Sequence, residues 1–89
     1  MRTISVRGRD FQIRSLKRKE RKALEKDGHR LPIPIYQDAF KTMDAVFEII
    51  FDEETMAFID DELDDAEAGE LWQAFQAETF GAPDEIKNL

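Results

Sequence analysis

From Thr3 to Arg14 the chain alternates apolar and polar residues with a period of two, and after Ser15 that rhythm gives way to helical spacing. If Gly8-Arg9 forms a two-residue type II′ turn, Arg7 faces Asp10, Val6 faces Phe11 and Ile4 faces Ile13. Ile4, Val6, Phe11 and Ile13 then share one side, with Thr3, Ser5, Gln12 and Arg14 on the other. This predicts a β-hairpin over about 3–14.

Four helices are expected next. Ser15 or Lys17 opens a first one over about 16–27, whose apolar content is thin: Leu16, Ala23 and Leu24. Gly28 follows, suited to the left-handed position that ends a helix. A second helix over about 38–51 starts from Asp38. Phe40, Met43, Val46, Phe47 and Ile50 form its apolar stripe, widened by Ile49 and Phe51, while Lys41, Asp44 and Glu48 mark the wet side. Met56, Ile59 and Leu63 give a short third helix over about 53–63, with acidic residues at its start where the helix dipole favours them. Asp64 and Glu67 have the spacing of a capping box for a fourth, over about 65–80, with Ala68, Leu71, Trp72, Phe75 and Thr79 on one face and Gly81 and Pro83 as the stop. Between the first two helices, LPIPIY is extended, because each proline drives the preceding residue out of helical space. It reads equally as a third, edge strand or as a plain connector. The tail over 82–89 reads as flexible.

The fold class expected is therefore α+β, an N-terminal hairpin packed on three to four helices. Length adds that 1–89 is one domain, near the size where a single core is only just sufficient. There is no cysteine, so no disulfide and no thiolate metal site, in keeping with a reducing cytoplasm. No apolar h-region opens the chain, and the apolar runs, broken by Glu48 and Asp52, fall far short of a membrane span.

Charge changes the picture more. Residues 1–30 hold eleven Lys or Arg against four Asp or Glu, a local +7, and residues 31–89 hold two against sixteen, a local −14. Within the first helix Arg18/Lys22, Lys17/Arg21 and Lys22/Lys26 are like-charged neighbours four apart, each destabilising by roughly 0.2–0.5 kcal/mol. Such a helix needs acid near it, from this chain or another. As a nucleic-acid reader, RSLKRKERKALEKDGHR (14–30) has phosphate-seeking charge but no aromatic for stacking and no Asn or Gln to read bases.

Candidate chemistry is sparse. His29 is the sole histidine, beside a helix C-terminus where imidazolium suits the dipole, and Ser5 and Ser15 are the only serines. The acidic run DDELDDAEAGEL fails as a calcium loop: with Asp60, Glu62 and Asp64 at positions 1, 3 and 5, Asp65 stands where Gly is required and Leu71 where the bidentate Glu belongs. No catalytic, cofactor or metal site can be assembled, and the expectation is a protein that is not an enzyme and takes no cofactor.

The hairpin followed by FQIRSLKRKE, an apolar helix and EETMAFIDDELDDAEAGELWQAFQAETFG resembles the small tail assembly chaperones of long-tailed bacteriophages and prophages. In that family the second strand enters an Arg-Pro-Leu-Thr-like turn and a charged helix containing Glu. Arg14, Leu16 and Glu20 match that spacing, while Ser15 replaces the usual Pro and Lys17 the Thr cap. The resemblance implies a cytoplasmic assembly factor that keeps the tape measure protein soluble and helps recruit tail-tube subunits. Phe47, Phe51, Trp72 and Phe75 are the apolar anchors expected for partner contact. Arg18, Arg21 and Lys22 are expected to dock on an acidic partner or on another copy of the chain. The alternative is a small DNA- or RNA-associated regulator using residues 14–30.

Overall fold

The computed structural model describes residues 1–31, 33 and 37–81. Its order of elements is α+β: strands β1 (Arg2–Val6) and β2 (Arg9–Ile13), then helices α1 (Arg18–Lys26), α2 (Ala39–Ile50), α3 (Glu53–Glu62) and α4 (Asp65–Phe80). The chain divides into two compact units, Met1–Ser15 with Ala57–Leu89, and Leu16–Met56.

In the first unit β1 and β2 pair antiparallel, but not in the expected register. Ile4 faces Phe11, Arg2 faces Ile13 and Val6 faces Arg9 across a turn at Arg7-Gly8. Both turn residues have positive φ, 53° and 74°, which makes the turn type I′ rather than II′. The physical reason the pattern misled is arithmetic. The two registers differ by two residues, so each leaves Ile4, Val6, Phe11 and Ile13 on the same face. Only the turn decides, and it places Gly8 second, at the cost of putting Arg7 in a conformation that side chains with a Cβ rarely adopt.

The hairpin's apolar face is covered by α4, which contacts both strands. Val6, Phe11, Ile13, Ile59, Leu71, Trp72, Ala74 and Phe75 are buried in this unit. Trp72 stacks on Phe75 at 5.0 Å, and Phe11 meets Phe58 tilted at 5.9 Å. Arg9 lies over the Phe58 ring at 4.9 Å, so the basic strand end covers an aromatic instead of leaving it wet. Enclosing a side chain such as Phe75 completely is worth roughly 1.5–3 kcal/mol.

The second unit is built differently. Helix α1 starts at Lys17, whose backbone N–H donates to Glu20 Oε1 at 2.8 Å. It ends in a Schellman motif: His29 N–H donates to the Leu24 carbonyl at 2.9 Å and Gly28 N–H to the Glu25 carbonyl at 3.1 Å, with Gly28 at φ 90° as anticipated. Helix α2 is capped by Asp38, which accepts from Lys41 N–H at 3.2 Å. Leu24, Val46, Phe47 and Phe51 are buried, and Phe47 and Phe51 pack at 5.5 Å. Two expectations fail here. Phe40, assigned to the apolar stripe, is 61% exposed in the first turn of α2, whose buried residues begin at Thr42. Ala23, expected to pin α1, is exposed, which leaves Leu24 as that helix's buried residue. The proposed third strand has Pro32, Pro34, Ile35 and Tyr36 outside the described residues, as is the tail 82–89, and among the described residues the sheet has two strands.

Candidate docking surface

Three surface features stand out, and each traces to local sequence. On α1, Arg18, Lys19, Lys22 and Lys26 are all exposed. Arg21 is half-buried and bonded to Glu25 one turn on, so its charge is already engaged. Of the three basic residues expected to dock, the structure presents Arg18 and Lys22 and ties up Arg21.

The second feature is acidic. Asp60, Asp61 and Glu62 close α3, Asp64 caps α4 and Asp65 opens it, and all five are exposed. Asp64 and Glu67 form the anticipated capping box, with Glu67 N–H donating to Asp64 Oδ1 at 2.8 Å and Asp64 N–H to Glu67 Oε1 at 3.0 Å. Asp60, Asp61 and Glu62 have no such justification, since the last turn of a helix is the negative end of its dipole.

The third is a groove of about 360 Å³ on α4, lined by Gln73, Gln76, Ala77, Phe80 and Gly81. The spacing of Gln73, Gln76, Ala77 and Phe80 is that of one helix face, and Phe80 is 40% exposed. This face was missed in the sequence because only one of its residues is large and apolar.

The four aromatics expected as anchors are corrected by burial. Phe75 is 0% exposed, Phe47 2%, and Phe51 and Trp72 8% each. A chain this short has little else with which to fill a core, so its largest rings go inside. Thr42, which the sequence did not single out, is fully buried, and its Oγ1 accepts from Gln37 Nε2 at 2.6 Å and lies 2.8 Å from His29 Nδ1. Gln37 also pairs with the backbone of Arg30, accepting from its N–H at 2.9 Å and donating to its carbonyl at 3.2 Å. His29 is thus a structural residue: its backbone ends α1 and its ring reaches into α2. Only a tertiary arrangement could reveal Thr42 as the partner of that ring, and Gln37 as the second group on the same oxygen.

Three ion pairs tie the hairpin to α4, one at one end and two at the other. Arg7 Nε donates to Glu67 Oε2 at 2.7 Å. At the other end the Met1 α-ammonium sits 2.7 Å from Glu78 Oε1, and Arg2 Nε lies 3.5 Å from Glu78 Oε2. The spacing matches: five residues of strand and eleven of helix each cover about 17 Å. The Arg7 hydrogen bond holds the Glu67 carboxyl below the usual range, helped by its backbone bond at Asp64, and the α-ammonium does the same for Glu78. The Glu67 hydrogen bond in turn raises the Arg7 guanidinium.

Among the described residues no group of three or more His, Asp or Glu side chains is placed to hold a metal ion, and no helix is long and apolar enough to cross a membrane. Comparison with family models, with curated proteins and with solved structures found no match to this chain.

Proposed function

We propose that this chain is a non-enzymatic tail assembly chaperone of a long-tailed phage or prophage, acting in the bacterial cytoplasm on the tape measure protein, the tail-tube protein or both. One observation carries the reading: α1 is capped at Lys17 with Glu20 three residues on, the positions that the family resemblance assigns to its cap and its helical Glu. The hairpin before it and the acidic, aromatic-bearing helices after it follow the same order.

With Phe47, Phe51, Trp72 and Phe75 in the core, client contact moves to the α4 face of Gln73, Gln76, Ala77 and Phe80. That groove suits one face of an amphipathic client helix: Phe80 and Ala77 supply apolar contact, and two amides keep it from being sticky when empty. A shallow site favours modest affinity and exchange, as an assembly factor requires.

The test is co-expression with a tape measure protein. The wild-type chain is expected to raise the soluble fraction of that protein, and Phe80→Asp to abolish the gain while leaving the chaperone folded by circular dichroism. No gain with the wild-type chain would overturn the reading. The second reading, a nucleic-acid-associated regulator, is favoured by the exposed Arg18, Lys19, Lys22 and Lys26. Micromolar duplex or single-stranded DNA binding at low salt, abolished by Arg18→Ala with Lys22→Ala, would establish it instead.

A further inference from the structure

We infer that the exposed basic face of α1 docks on the acidic α3–α4 junction of a second copy of this chain. Two patches of opposite sign carry the inference, and both are locally unfavourable as they stand. On α1, Arg18, Lys22 and Lys26 succeed one another four residues apart, all exposed, so each repels the next along one helix face. At the end of α3, Asp60, Asp61 and Glu62 are exposed where the helix dipole repels negative charge, with no basic residue in that turn, although Arg7, bonded to Glu67, attracts Glu62 and Asp64 from the hairpin. Asp64 and Asp65 extend the same surface. A conflict retained at the level of the single helix is relieved when the opposite patch is brought against it, and each copy carries both halves of that complement.

A second copy fits better than nucleic acid. The basic face runs along a helix of nine residues, about 14 Å, with no aromatic and no Asn or Gln within it. The rest of the chain, at −14, repels a phosphate backbone. The net −7 also opposes self-association, so the contact is weak and depends on local pairing. It is independent of whether the chain acts as a chaperone.

The experiment is sedimentation of the full chain at rising concentration and two salt levels. Self-association is expected at about 0.05 M salt and loss of it near 1 M, where screening shortens to about 3 Å. Two charge-reversed variants sharpen it. Arg18→Glu with Lys19→Glu places acid at the start of α1, and Asp60→Lys with Asp61→Lys places base at the end of α3. Both changes suit the helix dipoles, so each variant is expected to keep or gain thermal stability, and loss of association is not a loss of fold. Each variant alone is expected to be monomeric, and an equimolar mixture to associate again, because the pair restores opposite charges on facing patches. A wild-type chain monomeric at all concentrations, association indifferent to salt, or a mixture that stays monomeric would overturn the inference. Duplex DNA binding by a wild-type chain that does not self-associate would overturn it in favour of a nucleic-acid partner.

Discussion

The hairpin with α4 and the segment of α1 with α2 solve the same problem by different means. In the first, the pieces that meet are far apart in sequence: Arg7 bonds Glu67, Arg2 reaches Glu78, and α4 covers strands laid down some sixty residues earlier. In the second, the bonds are short-range. His29 closes the helix just before it, Gln37 pairs with Arg30, and Thr42 gathers His29 and Gln37. The first unit rests on buried area with ion pairs at its margin, and the second relies more on hydrogen bonds that finish helix ends. Local bonds form early and cheaply, whereas the distant ones must first offset the entropy of closing a long loop.

The comparison breaks most sharply at Phe75. Phe75→Ala, at a site with no exposure, is expected to cost about 3–5 kcal/mol. Native-state hydrogen exchange should show protection lost in β1, β2 and α4 first, with the amides of α1 and α2 less affected. Equal loss throughout would mean that the two units unfold as one.

Thr42→Val is the matching probe of the second unit. It keeps the shape and removes the oxygen shared by Gln37 and His29, at an expected cost of about 1–3 kcal/mol read from denaturant unfolding. Exchange should quicken near Gln37 and the end of α1 and leave the hairpin unchanged.

Gly8→Ala and Gly28→Ala compare the two turns directly. Nothing lies within 4 Å of an added Cβ at either site, so the cost is conformational alone, about 1–2 kcal/mol each, from φ values of 74° and 90°. A much larger loss at Gly8 would show that the I′ turn governs register as well as chain direction.

The smallest effect is that of pH. The carboxyls of Glu67 and Glu78 are held below their ordinary range by Arg7 and by the α-ammonium. Their contribution is complete above the ordinary Glu value of about 4.3 and disappears as pH falls through the lower folded values. Thermal melts taken from pH 6 down to pH 3 should decline, and less so in Glu67→Gln with Glu78→Gln, which keeps the capping geometry but not the charge. Exposed pairs contribute little, so the difference is expected to be slight.

Most elements were legible before the structure. The starts at Asp38 and Asp64, the stop at Gly28 and the extent of α4 all follow from side chains that satisfy nearby backbone groups. The candidate docking surface was not, because exposure is a property of what lies against a residue. Phe40 and Phe47 sit on one predicted stripe, yet the first is open and the second enclosed. Likewise Arg21 and Lys22 are neighbours of equal charge, and only the first is engaged with Glu25.

From the sequence alone came the order of elements, their caps and the separation of positive from negative charge, because each is set within a few residues by backbone geometry and side-chain type. The turn at Arg7-Gly8 set the hairpin register, and tertiary structure decided the partner of His29 and which aromatics remain on the surface. The latter two depend on competition for a limited interior, where alternatives equal in local pattern differ only in how they pack.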